Sequence, residues 1–430
     1  MNKVHNIFKG DKVIWMIFFF LCMISVTEVF SASSFLTYGS ENFSGPILKH
    51  AAFLLGGTCV AIIVMSIPCR YFKVLIPFLL ILSVVTLIWA LLMGKINGAG
   101  RWVKLLGFTF QPSEIAKCTI IITVAQILSV MQLEKGADKR AFSYILTVVG
   151  ILTFLIVFEN LSTAMLIFVV VVMMMFIGRI PWSQMSKLVG AVAVVGVMTF
   201  LFIWMTGDAS GEGMKTDGKT YVEQVADNGN VEVSKKEKNL FEKVTHRSSV
   251  WKKRIIKFVT PNNLKPEEWD LDADGQVGHA NIAIATSNIV GRGPGNSVER
   301  DWLSQAFSDF IYAIIIEEMG LLGGVFVVFL YIVLLYRAAR IARQCERSFP
   351  AFLVMGLALM LVTQALFNMM VAVGLAPVTG QPLPLISKGG TSTLINCAYI
   401  GMILSVSRTA KKRGEKAVEE KTGQHIDVEE

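Results

Sequence analysis

Charge is scarce in this sequence. Only 17% of its 430 residues are Asp, Glu, Lys or Arg, whereas 53% are hydrophobic. A soluble domain carries about 25% charged residues, so the deficit excludes an ordinary soluble protein and predicts an integral membrane protein. The net charge of +8 raises the alternative of nucleic-acid binding, but the cations form short clusters between apolar runs. That pattern is typical of membrane topology signals, and we predict no nucleic-acid partner.

The sequence also lacks cysteine motifs. Its six cysteines lie in or beside apolar runs, and none forms a Cys-x-x-Cys pair, so neither a disulfide framework nor a zinc site is indicated. Asp270, Asp272 and Asp274 match the front half of a calcium loop, but Asn281 stands where the bidentate glutamate should be. We interpret this cluster as a solvated or capping one and predict no protein metal site. Whether a divalent cation takes part as a cofactor stays open.

Apolar windows long enough to cross a bilayer recur along the chain. We count ten, at 13–33, 50–69, 74–94, 114–133, 142–159, 162–179, 188–206, 309–336, 349–373 and 390–408. The predicted fold class is an all-α polytopic membrane protein with one large extracytoplasmic loop between spans seven and eight. The predicted domains are an N-terminus (1–12), spans one to seven (13–206), the large loop (207–308), spans eight to ten (309–408) and a disordered tail (409–430).

Basic residues in the short loops set the orientation. They concentrate in alternate loops and at both ends of the chain, which predicts that both termini are cytoplasmic. The first apolar run follows Lys9 and Lys12 but has no small-residue cleavage site, so we interpret it as a retained helix rather than a signal peptide. In the large loop, residues 243–261 alternate basic and apolar residues, which predicts a helix in the membrane interface, with a plain surface helix as the alternative. A second helix is predicted at 278–287.

Asp309 stands where the polar loop gives way to the eighth apolar run, and Glu317 and Glu318 lie inside that run. An ionisable group at membrane depth costs about 2.5–3.5 kcal/mol on insertion scales, so it is a candidate functional group. The segment 291–295 before it is a glycine-rich turn that carries Arg292. Turns of this kind present main-chain N–H groups to anions, although GRGPG alone is weak support.

Two further polar clusters fall in the loops predicted to face outward. The first, residues 98–117, ends with Glu114 and Lys117 one turn apart, where a buried structural ion pair is an equal alternative to a binding role. Trp102 in the same cluster could equally be a membrane-interface residue. The other cluster, residues 374–392, holds too much Pro and Gly for a regular helix, so it must line a protein-buried or watery cavity. We predict a substrate-binding set of Arg101, Trp102, Glu114, Lys117, Arg292, Asn368, Thr379, Pro384, Ser387, Lys388, Gly389 and Gly390, with Asp309 as the catalytic residue.

Together these motifs resemble the SEDS family of bacterial cell-wall proteins, which includes FtsW, RodA and SpoVE. The resemblance rests on RWVKLLGFTFQPSEIAK, SDFIYAIIIEEMGLLGG and GLAPVTGQPLPLISKGGTS, in order and across residues 13–408. It implies a multi-pass peptidoglycan glycosyltransferase of the bacterial plasma membrane that polymerises lipid II, the undecaprenyl-pyrophosphate disaccharide-pentapeptide. It also implies a class B penicillin-binding transpeptidase and other division proteins as partners. The sequence is closer to the division-type than to the elongation-type branch.

The resemblance also implies roles for single residues. The family's essential loop aspartate corresponds to Asp309, its aromatic loop residue to Trp102, and the Glu and Lys of its QPSE-x-x-K motif to Glu114 and Lys117. Two departures stand out. Asn160 replaces a common aspartate, which puts that residue's role in question, and Lys388 replaces a common tyrosine, which alters the contact with the substrate's phosphates or sugar.

The chemistry suits these positions. An acceptor sugar hydroxyl is a poor nucleophile, so a positioned carboxylate such as Asp309 is expected to take its proton during an inverting transfer. The leaving pyrophosphate needs positive charge, for which the candidates, in order, are Lys117, Lys388, Arg292 and Arg254. Glu317 and Glu318 are expected to orient helices or to pair with lysines rather than to act on the sugar. Two alternatives are a transporter that flips lipid-linked precursors and a non-catalytic scaffold of the division apparatus.

Overall fold

The computed structural model describes residues 9–33, 45–92, 103–105, 108–134, 136–206, 271–303 and 306–426. Arg101, Trp102, Arg254 and the predicted interfacial helix at 243–261 lie outside these residues. The chain forms two compact units, one of residues 1–185 with 270–430 and one of residues 186–269. Of the second unit, the structure describes 186–206, which form most of one helix.

The described residues are mainly helical, and short strands fill two of the connections. In chain order the elements are α1 (Lys12–Ser33), α2 (Gly45–Ser66), α3 (Arg70–Val74), α4 (Ile76–Leu92), β1 (Val103–Leu105), β2 (Phe108–Phe110), α5 (Pro112–Val130), β3 (Gln132–Leu133), β4 (Gly136–Ala137), α6 (Lys139–Glu159), α7 (Leu161–Ile177), α8 (Trp182–Thr206), α9 (Leu271–Ala285), a 3-10 turn (Glu299–Asp301), α10 (Ile311–Arg343), α11 (Ser348–Ala372) and α12 (Thr391–Ile426).

A helix occupies each of the ten predicted apolar windows, and the all-α fold class is confirmed. Among the described residues, six helices are long and apolar enough to cross a bilayer: α1, α2, α5, α6, α10 and α11. Helices α4 and α7 and the first part of α8 are apolar but shorter. The chain is therefore a multi-pass membrane protein, and the count of ten spans stays a prediction.

Two parts of the structure differ from the sequence prediction. Helix α12 continues to Ile426, where we expected a disordered tail from residue 409. The two small antiparallel hairpins, β1–β2 and β3–β4, were not predicted because their strands of two or three residues are too short to show alternation.

The break between α6 and α7 is set by one residue. Asn160 leaves the helical conformation (φ −156°, ψ 99°), and its side-chain oxygen accepts hydrogen bonds from the N–H groups of Ser162 (3.1 Å) and Thr163 (3.4 Å). This is an N-cap, which satisfies main-chain donors that the first turn of a helix leaves unpaired. The predicted division of 142–179 into two helices is confirmed, and it depends on the residue that departs from the family pattern.

Helix α10 is broken near its start. Gly320 has φ 73° and ψ −176°, so the segment up to Met319 is a half-helix and a longer segment follows. The segment around Gly291 packs directly across α10 at this break. A Cβ on Gly320 would lie 2.2 Å from the main-chain oxygen of Ile289. Only glycine fits this crossing, which is paired by hydrogen bonds from Leu321 N–H to Asn288 C=O (3.2 Å) and from Gly293 N–H to Glu318 C=O (2.8 Å).

Helix α11 is the centre of the bundle. It packs against α5, α7, α10 and α12, and 72% of its most apolar window is buried. Gln364 and Asn368 lie on this helix one turn apart and are 1% exposed. A buried amide must find hydrogen-bond partners, so these two side chains indicate where the polar loops enter the bundle.

Candidate active site

The main chain around Asp309 is held at three consecutive carbonyl groups. The carbonyl oxygen of Phe307 accepts the N–H of Lys388 (3.0 Å), and that of Ser308 accepts the Ser387 hydroxyl (2.6 Å). The carbonyl oxygen of Asp309 itself accepts the Asn368 amide (2.9 Å). The donors lie in the 374–392 segment and on α11. The structure therefore joins the Asp309 loop to a polar cluster that is separate from it in the sequence.

Asp309 lies two residues before the first residue of α10 and is half-buried. Its Oδ1 atom accepts a hydrogen bond from the hydroxyl of Ser308 (3.0 Å). Phe310 next to it is fully buried and stands at the N-cap position of α10. Asp309 is therefore anchored through its backbone, and the residue is partly exposed.

Hydrogen bonds from surrounding helices hold the segment 381–388 in place. Leu385 has φ 66°, a left-handed conformation that costs a non-glycine residue about 1 kcal/mol or more. The carbonyl groups on both sides of it are held: that of Pro384 by the Tyr331 hydroxyl, and that of Ile386 by the Ser25 hydroxyl (2.6 Å). The surrounding helices therefore fix the turn that leads into Ser387 and Lys388.

Asn368 and Gln381 extend this network. The Asn368 amide nitrogen donates a second hydrogen bond to the carbonyl of Gln381 (2.8 Å), so both of its protons are engaged. The Gln381 side chain in turn donates to the Thr163 hydroxyl at the start of α7 (2.9 Å). The Asn160 cap, the 374–392 segment and Asp309 are thus joined by one chain of hydrogen bonds.

Lys117 is buried inside the bundle. It is 0% exposed, and its Nζ lies 2.7 Å from Glu114 Oε1 and 2.8 Å from Gln364 Oε1. The Gln364 amide nitrogen donates to the carbonyl of Pro382 (3.0 Å). This placement favours the alternative of a structural ion pair over the role that we ranked first from sequence, contact with a leaving pyrophosphate.

Lys388 is a basic residue whose backbone pairs with the loop that carries Asp309. It is half-buried, and its Nζ lies 5.0 Å from the centre of the Phe307 ring, a cation–π distance. Burial, and secondly the charge of Lys49, lower the pKa of Lys388. Lys388, which replaces the family's common tyrosine, therefore brings positive charge to the loop of Asp309, since its backbone partner Phe307 lies two residues before the aspartate.

Glu317 and Glu318 bind the preceding loop rather than the Asp309 region. Both are fully buried, and Glu317 accepts the Ser297 hydroxyl (2.5 Å) and the Val298 N–H (3.0 Å). Glu318 accepts the Gly295 N–H (2.8 Å), and Arg292 pairs with Glu317 at 3.4 Å. These contacts agree with the expected orienting role of the two glutamates, and they give Arg292 a carboxylate partner that competes with any substrate.

The remaining predicted residues occupy different positions. Thr379, Gly389 and Gly390 are half-buried in the 374–392 segment, and Gly390 takes φ 54° directly before α12. Pro384 acts through its carbonyl group, as described above. Asp272 and Asp274 fall within helix α9, where the backbone differs from that of a calcium loop. In the described part of the chain, no group of three or more His, Cys, Asp or Glu residues is arranged to hold a metal ion.

Sequence reasoning missed several residues that hold the site. Ser25, His50 and Tyr331 lie in apolar helices outside the three motifs, yet the hydroxyls of Ser25 and Tyr331 hold the turn at Leu385. His50 contacts Ser25 at 2.8 Å. The available signal was polarity alone, because a buried hydroxyl or imidazole in an apolar helix needs a partner.

The sequence of this chain is similar to those of known proteins over most of its length. A family model described as FtsW/RodA/SpoVE, cell cycle protein, matches residues 11–209 and 241–412. The probable peptidoglycan glycosyltransferase FtsW of Halomonas elongata is 30% identical over 86% of this chain and 84% of its own. Its namesake in Aromatoleum aromaticum is 28% identical over 92% of this chain and 87% of its own.

Two solved structures have a similar fold. One, described as showing structural coordination of polymerization and crosslinking by a peptidoglycan synthase complex, has a TM-score of 0.61 at 23% identity, covering 93% of this chain and 98% of its own. The rod shape determining protein RodA of Thermus thermophilus has a TM-score of 0.57 at 21% identity, covering 94% of this chain and 98% of its own. The extent of the family match shows that the chain belongs to the FtsW/RodA/SpoVE family.

Proposed function

We propose that this protein is a peptidoglycan glycosyltransferase that polymerises lipid II into glycan strands, with Asp309 as the general base. Its curated relatives are named as probable peptidoglycan glycosyltransferases. The observation that carries the proposal is the fixing of Asp309 by hydrogen bonds to three consecutive carbonyl groups. A base must be held at a defined distance from the proton it removes, and this bracing supplies that rigidity.

In the proposed reaction, a sugar hydroxyl of one lipid-linked chain attacks the anomeric carbon of the other. The new glycosidic bond forms as the bond from that carbon to the lipid pyrophosphate breaks, and the hydroxyl proton passes to the Asp309 carboxylate. Displacement in one step inverts the anomeric configuration. Lys388 offsets the negative charge that develops on the pyrophosphate, because it is the half-buried cation whose backbone pairs with the Asp309 loop.

The orientation and partners belong to the same proposal. With both termini in the cytoplasm, the Asp309 site faces outward, where the substrate's sugars lie and its lipid tails remain in the bilayer. We infer a class B penicillin-binding transpeptidase as the working partner, since one structural neighbour is described as a peptidoglycan synthase complex. The names of the curated relatives favour the division branch over elongation. Arg101 and Trp102 keep their sequence-based assignment as substrate-binding residues.

A flippase for lipid-linked precursors is the second candidate, because the broken helix α10 is a feature of transporters as well. Purified wild-type protein, alone and with a co-expressed transpeptidase, is incubated with lipid II, and the products are separated by gel. The same protein in vesicles is tested for movement of labelled lipid II between leaflets. Glycan strands without flipping support the proposal. Flipping without strands in either preparation would replace the glycosyltransferase with the transporter.

A further inference from the structure

A second basic residue lies close to Lys388, on a helix that the sequence motifs do not include. Lys49 is exposed near the start of α2, and the next residue, His50, is 4% exposed. Within the described residues, neither Lys49 nor Lys388 makes an ion pair with a carboxylate. Both ammonium groups are therefore available to an anionic ligand.

A chain of hydrogen bonds connects α2 to the Lys388 segment. His50 Nε2 lies 2.8 Å from Ser25 Oγ, and the Ser25 hydroxyl donates its only proton to the carbonyl of Ile386 (2.6 Å). The contact with His50 therefore requires that Nε2 carries a proton and donates it to Ser25. Helices α1 and α2 and the residue two positions before Lys388 are locked together through one histidine and one serine.

The geometry has a direct electrostatic consequence. Lys49 directly precedes His50 in α2, and Lys388 lies two residues after Ile386, so the backbones that carry the two lysines are linked through His50 and Ser25. In agreement with this, the charge of Lys49 lowers the pKa of Lys388. A bound anion with two negative centres would offset the repulsion between the two lysines.

We propose that Lys49 and Lys388 together form the binding site for the pyrophosphate of the lipid-linked donor, and that Ser25 and His50 are positioning residues that set the spacing of the two lysines. The inference rests on the proposed function and deepens it. A pyrophosphate has two phosphoryl groups, so it can contact both ammonium groups at once, whereas a single phosphodiester has one charged centre. The site therefore prefers a polyprenyl pyrophosphate over a phospholipid headgroup.

The test measures binding without turnover. Purified full-length protein in a neutral detergent is titrated with undecaprenyl pyrophosphate, and in parallel with undecaprenyl phosphate and phosphatidylglycerol. Lys49→Met and Lys388→Met are each expected to weaken pyrophosphate binding by about tenfold, the size expected for loss of one charge-assisted contact. In the double variant the loss is expected to differ from the product of the single losses, since both lysines contact one ligand. Lys139→Met, at the start of α6, is the matched control and is expected to bind as the wild type does.

Further variants keep the proposal falsifiable if Lys388→Met folds poorly. Lys388→Tyr carries the residue common in the family and is expected to bind pyrophosphate more weakly, whereas Lys388→Arg is expected to retain binding. Ser25→Ala is expected to weaken pyrophosphate binding while leaving undecaprenyl phosphate binding nearly unchanged, a difference that mere loss of stability would not produce.

The outcomes separate this inference from the proposed function. If the wild type polymerises lipid II but both lysine variants bind undecaprenyl pyrophosphate as the wild type does, only the inference is wrong. Equal binding of phosphatidylglycerol and undecaprenyl pyrophosphate would also overturn it, by making the site a general phospholipid site. Failure of the wild type to polymerise lipid II under any condition would overturn the proposed function, whatever the binding data show.

Discussion

The side-chain nitrogen of Asn368 lies 2.9 Å from the main-chain oxygen of Asp309, which ties the centre of the bundle to the loop that carries the proposed base. The same nitrogen lies 2.8 Å from the carbonyl of Gln381. One buried amide on α11 therefore joins two loops that are about seventy residues apart in the chain.

Asn368→Asp keeps the shape of the side chain but cannot donate two hydrogen bonds when ionised. It leaves two buried carbonyl groups without their partner, each at a cost of about 1–3 kcal/mol, and sets a carboxylate beside them. We expect the polymerisation rate to fall at least tenfold, more through kcat than through KM, because the base is displaced while the cations remain. Steady-state kinetics with lipid II measures this. Asn288→Asp, at an exposed turn, is the matched control and is expected to keep full activity.

Glu114 and Lys117 form a buried ion pair, 2% and 0% exposed. Removal of one partner, in Lys117→Met or Glu114→Gln, is expected to destabilise the fold by about 3–5 kcal/mol because it leaves an uncompensated charge. The double variant is expected to recover much of this loss, which unfolding experiments in detergent would detect. If instead Lys117→Met unfolds as the wild type does and only raises KM for lipid II, Lys117 contacts the substrate, as its first rank among the cations implied.

Gly320 and Gly291 permit the crossing that breaks α10. Gly320→Ala is expected to destabilise the protein by several kcal/mol, since the new Cβ would lie 2.2 Å from the Ile289 carbonyl and the φ of 73° also disfavours alanine. Gly150→Ala is the control: no atom lies within 4 Å of its Cβ position in α6, so alanine should be neutral or slightly stabilising. Thermal unfolding of the two variants side by side measures the difference, and equal behaviour would contradict the close crossing.

The charge of Lys388 predicts a pH dependence. Burial and Lys49 lower its pKa from the ordinary lysine value of about 10.4, so its positive form is lost as pH rises through the lowered value. Binding of undecaprenyl pyrophosphate should therefore decline with rising pH earlier than an ordinary lysine would cause. Lys49→Met removes one of the two causes, so its decline should start at higher pH, although its affinity at neutral pH is lower. An unchanged pH profile in Lys49→Met would show that the two lysines do not interact.

Much of the fold could be predicted because it depends on local patterns. Apolar windows located the helices, Pro112 marked the start of α5, and the Pro- and Gly-rich composition of 374–392 excluded a helix there. The break in α10 was not predicted, because one glycine within a predicted span does not by itself end a helix, and only the close crossing of Gly320 with Gly291 imposes the positive φ. The conformation at this position depends on a long-range contact, which the local hydrophobic pattern does not contain.

The candidate site could be predicted only in part. The motifs located Asp309, Asn368 and Lys388, yet no sequence spacing showed that Lys117 would be enclosed by Glu114 and Gln364. The hydrogen bonds from Ser25 and Tyr331 could not be predicted either, since each joins residues more than fifty positions apart in the chain. A hydrogen bond between distant segments leaves no local pattern in either.

The central claim is that the Asp309 carboxylate removes the proton of the acceptor hydroxyl. The most direct measurement is the rate of glycan-strand formation from lipid II by purified Asp309→Asn, beside Asp301→Asn as a matched control on the preceding loop. Asparagine keeps the backbone and its three carbonyl contacts but cannot act as the base, so we expect the rate to fall by about 100-fold or more, while Asp301→Asn remains near the wild type. Strand formation at the wild-type rate by correctly inserted Asp309→Asn would contradict the account.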